Sequence, residues 1–210
     1  MKKSKLKRSF FNRSTVEVAV DILGKVFIYR DGSTKLGGRL VEVEAYIGRD
    51  DPACHASKGR TPRNEIMFGK PGLLYVYFTY GNHYMLNIVT EREGFPAAVL
   101  LRGLEPVYGI NQMMKNREVN KVTNIANGPG KISQALGITT RQKGVDVTGD
   151  RIYLVDDKTK PDEIWCSPRI GIGADGADRM WRFFIKGNSY VSRAPKHICE
   201  MARVFNKGIR

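Results

Sequence analysis

The run GLLYVYFTYGNHYMLNIVT, residues 72–90, constrains the fold of this chain more than any other segment. Two stretches rich in aromatic and β-branched residues flank Gly81-Asn82, a turn pair, so the run specifies a β-hairpin. Period-two alternation sends Leu73, Tyr75 and Tyr77 to one face and Val76, Phe78 and Tyr80 to the other. Further strand signals flank it: KVFIYR, RLVEVEAYI, AAVLLRGL, RIYLV, RIGIG and WRFFIK, separated by Gly/Asp turns. Helical signals are fewer. Ser14 and Glu17 have capping-box spacing at the head of a helix over 15–23, and Glu105-Pro106 offers a helix start after AAVLLRGL. NQMMKNREVNKVTN reads as a helix end with a mobile loop, and NGPGKISQALGI as a helix with Pro129 near its start and Gly137 past its apolar residues. The absence of GxGxxG and P-loop motifs argues against a Rossmann or P-loop architecture and for a largely antiparallel or mixed sheet with peripheral helices.

One ordinary domain accommodates 210 residues, and 41% hydrophobic content suffices for its core. The 35 Lys and Arg against 21 Asp and Glu leave a formal net charge of +14, which points to a phosphate-bearing or otherwise anionic partner but says nothing about chemistry. Cys54, Cys166 and Cys199 lack a CxxC pair; they fit a reducing, cytoplasmic compartment and cannot make a four-thiolate metal site within one chain. The apolar runs are too short or too charged to span a membrane, and MKKSKLKR leads into SFFNRSTVEV rather than an apolar signal core. The expected organisation is a single domain over 1–210, with 1–8 a flexible basic arm.

If RLVEVEAYI is extended, Glu42, Glu44 and Tyr46 share one face and Val41, Val43 and Ala45 the other, so an acid and an aromatic emerge together. A carboxylate at Glu44 can take the proton of a water attacking a sugar C1′ carbon and support an oxocarbenium-like centre; the alternative is a solvated strand acid. Arg102, in VLLRGLEP, either seats a phosphate or orients the acid, or it pairs structurally with Glu42 or Glu105. His55 lies in a polar loop over 48–72, where it reads a base edge or contacts phosphate, or does neither. Three histidines in the chain are few for a His-based metal centre.

Tyr75, Tyr77, Tyr80 and Tyr84 are either core residues or, for Tyr80 ahead of the glycine turn, a projecting ring that fills the gap left by a flipped nucleotide. Asn87 is a base-edge reader or an edge-strand polar residue. Arg60 and Arg63 in GRTPRN, and Lys131 in GPGK, supply a phosphate seat, or else belong to a loop and a helix start without a ligand. These residues fit an N-glycosidic hydrolase, a non-enzymatic damaged-DNA binder or an RNA-binding protein.

Taken in order, GRLVEVEAYIG, HASKGRTPRN, MFGKPGLLYVYFTYGNHYMLNI, VLLRGLEP, NGPGKISQALGI and RIGIG resemble the alkyladenine (3-methyladenine) DNA glycosylase family over about residues 37 to 190. The resemblance implies a single compact α+β domain with a curved, largely antiparallel sheet, peripheral helices and a protruding hairpin. It implies monofunctional release of an alkylated purine from damaged double-stranded DNA, leaving an abasic site, with no metal or organic cofactor; because one active site can be assembled within one chain, a monomer is expected. Carried over residue by residue, Glu44 is the general base, Tyr46 and Tyr77 stack on the flipped base, and His55 contacts its edge or its nucleotide. Tyr80 is the wedge in the duplex, Asn87 disfavours guanine through its exocyclic amino group, and Arg102 sits beside the water and the DNA backbone. Asn82, His83, Tyr84 and Met85 differ in detail from the animal enzymes of the family, so the resemblance implies 3-methyladenine release more firmly than hypoxanthine release.

Overall fold

The computed structural model describes residues 4–79, 81–173 and 176–206. In chain order the elements are β1 (Ser4–Lys5), α1 (Arg8–Phe11), α2 (Thr15–Ile22), β2 (Val26–Asp31), β3 (Thr34–Ile47), β4 (Leu74–Thr79), β5 (His83–Val89), β6 (Ala97–Tyr108), α3 (Ile110–Arg117), α4 (Pro129–Leu136), β7 (Ile152–Asp156), β8 (Ile164–Ser167), β9 (Arg182–Ile185), α5 (Lys196–Glu200) and β10 (Arg203–Val204). The main sheet runs β1-β7-β2-β3-β6-β5-β4, and a branch β9-β8-β10 leaves it at β3; every pairing is antiparallel. This is the α+β architecture expected, an antiparallel sheet with helices at its periphery.

β3 is the hub. It pairs with β2 along its first half, with β6 along most of its length, and with β9 at Glu42, Val43 and Glu44. Leu40 through Ala45 are all buried, acids included, so neither face of this stretch reaches water. The alternative reading of Glu44 as a solvated strand acid is thereby excluded: alternation separates the faces, but the neighbours that cover each face come from β6, β9 and the segments after them.

The ladder between β3 and β6 is irregular around Glu42. Leu40 faces Leu104, Glu42 faces Gly103 and Val43 faces Leu101, so the register passes over Val41 on one strand and Arg102 on the other. Such bulges bend a strand and re-aim a side chain. Gly103 has no room for a Cβ, which would lie 2.7 Å from the Tyr190 carbonyl oxygen and 2.9 Å from the Glu42 Cβ. The missing side chain admits the 188–192 segment to the acids.

The core forms where α2, α3 and α4 cover the sheet, with Phe11, Val18, Ile22, Phe27, Leu40, Val43, Leu86, Val99, Leu101 and Ile132 buried together. α2 buries Thr15, Val18, Ala19, Val20 and Ile22, one apolar flank of its two turns. Its predicted capping box does not form. Ser14 makes no side-chain cap bond, and the Thr15 N–H instead donates to the Glu91 carboxylate at 2.7 Å, a partner brought from the far end of the β4–β5 hairpin. α4 follows its sequence signature, with Pro129 at its start and Gly137 closing it at φ 68°. Its Gly130 lies against the His83 ring, where a Cβ would stand 2.8 Å from Cγ.

Three further expectations change. Glu105-Pro106 starts no helix: β6 continues to Tyr108, and Pro106 pairs with Gly38 at a register shift, a place where a residue without an N–H is tolerated. RIGIG (169–173) forms no strand, because the Ile170 N–H is taken by a carboxylate rather than a ladder. Residues 4–8 are not a loose arm. Ser4 and Lys5 pair with β7, Lys5 bonds the Asp150 carboxylate, and the Arg8 guanidinium reaches the Pro71 carbonyl at 2.6 Å and the Asp146 carboxylate. Backbone donors at a sheet edge and nearby acids recruit this basic segment.

Candidate active site

Beside the β4–β5 hairpin lies a cavity of about 360 Å³ lined by Tyr46, His55, Met67, Tyr75, Tyr77, Met85, Asn87, Leu100, Arg102, Pro129, Ile170 and neighbouring residues. Glu44 does not line it. Its carboxylate is fully buried one layer behind, and its three donors all belong to the lining. The Tyr46 hydroxyl donates to Oε2 at 2.8 Å, Arg102 Nη1 to Oε2 at 3.3 Å, and the Ile170 N–H to Oε1 at 2.8 Å. A buried carboxylate survives ionised only with such partners. Burial, and then the negative charge of Glu44, push the Tyr46 phenol well above the ordinary range, so it stays a donor.

Arg102 holds two acids at once. Nε donates to Glu42 Oε1 at 3.2 Å, Nη1 reaches Glu44, and Nη2 approaches Ser192 Oγ at 3.4 Å. Burial alone would lower its pKa; Glu44 and Glu42 outweigh that and hold it above the ordinary value. Arg102 thus pairs with Glu42, as one of its readings expected, and bonds Glu44 as well. It sits inside β6 rather than near its end, at the bulge described above.

Tyr46 is braced from behind. The Arg169 guanidinium lies 4.6 Å from its ring centroid and 5.3 Å from that of Trp181. Arg169 is itself locked in a two-pronged pair with Asp51 at 2.6 and 2.7 Å, and donates to the Ala45 carbonyl at 2.9 Å. Both side chains of the pair are fully buried. This clasp fixes the segment carrying Ile170 onto β3, and so fixes the backbone donor that holds Glu44. Asp51, Arg169 and Ile170 were missed as site residues. Their only sequence signal was membership of a charged loop and of the RIGIG motif, which looked like a strand.

The opposite wall is aromatic. His55 Nδ1 lies 2.9 Å from the Tyr75 hydroxyl, and its ring meets Tyr77 edge-on with centroids 4.4 Å apart. His55 stands at the mouth with much of its residue surface exposed, yet contact with these rings strips enough water from the imidazole to lower its pKa, and Arg63 adds to the effect. The loop that carries His55 is knitted by buried Asn64, whose amide nitrogen donates to the His55 carbonyl at 2.8 Å and the Gly59 carbonyl at 2.9 Å. The Asn87 amide nitrogen donates to the Tyr75 carbonyl at 3.2 Å, which leaves its side chain set in the cavity wall opposite Leu100 in the ladder. Tyr75 is buried, which pushes its phenol up to about 12.

The structure thus brings Glu44, Arg102, Tyr46, His55, Tyr77 and Asn87 together around one cavity. Arg60 and Arg63 are exposed near its rim, with their guanidinium carbons 5.6 Å from the Phe68 ring and 5.3 Å from the Tyr77 ring. Lys131, one turn into α4, donates to Asn127 at 2.7 Å. Tyr80 lies outside the described residues. Among the described residues, no group of three or more His, Cys, Asp or Glu could hold a metal ion, and no helix is long and apolar enough to cross a membrane.

Proteins similar to this chain carry names of one kind. A protein of Prosthecochloris aestuarii is 47% identical over 189 residues, covering 89% of this chain and 90% of the relative. One from Chlorobaculum tepidum is 44% identical over 191 residues, 90% and 91% of the two chains, and one from Methanocella arvoryzae is 46% identical over 197 residues, 92% and 98%. All three are provisionally named 3-methyladenine DNA glycosylases. The profile of the methylpurine-DNA glycosylases matches residues 9–189, which takes in the acid, the clasp and the aromatic hairpin, and the chain accordingly belongs to that family of DNA glycosylases acting in base excision repair.

Proposed function

We propose that the protein extrudes an alkylated purine from duplex DNA into this cavity and hydrolyses its N-glycosidic bond with a water activated by Glu44. The observation that carries the reading is the placement of Glu44: a fully buried carboxylate whose three donors are all part of the cavity lining. A base drawn between the rings of Tyr46 and Tyr77 presents the C1′ carbon of its deoxyribose toward that wall. Glu44 takes the proton of the attacking water and its charge supports the oxocarbenium-like transition state. Arg102, fixed by two carboxylates, keeps the acid oriented and lies beside the sugar-phosphate backbone.

Recognition divides among the remaining residues. A cationic alkylpurine has a weakened glycosidic bond and stacks favourably on electron-rich phenol rings. His55 contacts the base edge or its nucleotide, and Asn87 crowds the exocyclic amino group of guanine. Tyr80 occupies the gap left in the duplex. Arg60, Arg63 and Lys131 seat phosphates, which fix register without reading sequence. The products are free base and an abasic site with the strand intact; no lysine Schiff base and no cofactor is needed. Lesion-bearing double-stranded DNA is the partner, a monomer is sufficient because one chain supplies the whole lining, and the setting is the cytoplasm, at the nucleoid.

The test is Glu44→Gln on methylated duplex DNA, with released bases, abasic sites and strand breaks measured separately. The native protein should release 3-methyladenine without strand breaks. The variant should lose about 10²- to 10⁴-fold in rate, the span of a general-base contribution, while still binding the duplex. Binding without release by either protein would identify a damage-recognition module instead.

A further inference from the structure

Glu42 is fully buried, two residues from Glu44, and has no part in the reaction as described so far. Four donors hold it: Arg102 Nε at 3.2 Å, Arg182 Nε at 2.7 Å, the Ser192 N–H at 2.6 Å and the Ser192 hydroxyl at 2.8 Å. Arg182 is itself anchored, with Nη1 donating to Ser167 Oγ at 2.9 Å. The two bulges that break the β3–β6 register flank Glu42. They bring Arg102 between the two acids, with Nε on Glu42 at 3.2 Å and Nη1 on Glu44 at 3.3 Å, so one guanidinium is shared between them.

A fold that needed only to bury Arg102 could pair it with one carboxylate. Here two carboxylates and two guanidiniums form a chain that sums to zero charge, Glu44–Arg102–Glu42–Arg182. A general base needs its carboxylate ionised but not so tightly paired that it no longer accepts a proton. The charged and titratable groups facing Glu44 are Tyr46 on its own strand, Arg102 on β6, Arg182 beside it on β9, Arg169 with Asp51 on its far side, and Glu42. Of these, Glu42 is the acid that shares the cation touching Glu44.

The geometry points to Glu42 as a positioning residue for base release: it shares the Arg102 guanidinium with Glu44 and thereby sets the proton affinity of the catalytic carboxylate. This rests on the assignment of Glu44 as the general base. Without Glu42, Arg102 closes on Glu44 and a buried positive charge is left uncompensated. Glu44 then becomes a weaker base, so the plateau rate falls and the acidic limb of the pH profile moves to lower pH.

The experiment is single-turnover release of 3-methyladenine from a duplex as a function of pH. This leaving group is already cationic, so the acidic limb reports the base alone. Native protein, Glu44→Gln, Glu42→Gln, Glu42→Asp and Glu42→Gln/Arg182→Gln are compared, with binding to the same duplex measured in parallel. Glu42→Gln should slow the plateau about tenfold or more, shift the acidic limb downward and leave binding within about threefold. The double variant restores the charge sum and should return the limb toward its native position. Glu42→Asp keeps the charge but withdraws it by about 1.5 Å, one carbon–carbon bond, and should show the same changes in smaller measure. It is also the variant to rely on if Glu42→Gln does not fold.

A plateau within twofold of native in a folded Glu42 variant, or a slow variant with an unshifted limb that the double substitution does not restore, would overturn the proposal and leave Glu42 a staple between strands. Persistence of release in Glu44→Gln would instead remove the assignment beneath it. The two failures are thus read from different variants.

Discussion

The two walls of the cavity are built on opposite plans. The wall behind Glu44 comes from the middle of the sheet, where β3 is covered on both faces and the acids Glu42, Glu44 and Asp51 each bond a buried guanidinium or share one. The facing wall comes from β4 and β5, and β4 ends the main sheet. Its rings meet edge-on or tilted, His55 and Arg63 reach solvent, and Phe78 on the reverse side of the hairpin is 46% exposed. Buried charge tolerates no slack, because an ion that loses its partner keeps its desolvation cost. Aromatic surface tolerates much, because dispersion and stacking have shallow orientation dependence. The difference suits a site in which reacting groups must be fixed and the bound base may vary in shape.

The largest effect that would sharpen this contrast is on stability. Asp51→Asn leaves Arg169 as an uncompensated buried cation and should destabilise the protein by about 3–5 kcal/mol, measured by denaturant unfolding. It should also slow base release, since the clasp holds the Ile170 N–H on Glu44. A loss below about 1 kcal/mol, the scale of a surface pair, would mean that the charged wall is not rigid in the sense argued here.

On the aromatic wall, Tyr77→Ala should leave the unfolding midpoint nearly native. It should weaken binding to lesion-bearing duplex by roughly 1–3 kcal/mol, the worth of one stacking platform, with little change on undamaged DNA. Equal losses on both duplexes would show that Tyr77 acts in general binding rather than on the extruded base. Smaller again is Asn87→Ala, expected to relax discrimination against guanine by about tenfold, or about 1.4 kcal/mol, in competition between alkylated and ordinary purines.

The smallest effect concerns His55. Burial against Tyr75 and Tyr77, then Arg63, lowers its pKa in the folded protein. A base whose folded pKa is depressed favours folding above its unfolded pKa, and that contribution is lost as pH falls through the ordinary imidazole range toward the folded value. The imidazole resonance should therefore titrate below the ordinary histidine value, and Arg63→Ala should move its midpoint upward by removing a neighbouring positive charge. An unchanged midpoint in Arg63→Ala would assign the whole effect to desolvation.

Much of the molecule was legible from residue order. The hairpin turns beside Gly81-Asn82, β2 and β7 fall where KVFIYR and RIYLV lie, and α4 begins at Pro129 and ends at Gly137. Glu44, Tyr46, His55, Tyr77, Asn87 and Arg102 were named from side-chain chemistry and family motifs; the last five line one cavity, and Glu44 bonds two of them, Tyr46 and Arg102, from behind its wall. Where reading failed, a partner distant in sequence had replaced a local one. Glu91 took the cap intended for Ser14, a bulge absorbed Pro106 into β6, and a carboxylate captured the Ile170 N–H that would otherwise have joined a ladder.

The sequence by itself determined the strand-rich plan, the aromatic hairpin, the positive charge and the family, because local periodicity, turn chemistry and ordered motifs are properties of neighbouring residues. Only the tertiary structure decided that Glu44 is buried rather than solvated, that Arg102 divides itself between two acids, and that Asp51 and Arg169 lock the Ile170 backbone donor onto the Glu44 carboxylate. The physical reason is that desolvation and ion pairing depend on what covers a side chain, and apart from Tyr46 the residues that bond Glu42 and Glu44 lie from 58 to 150 positions away in the chain.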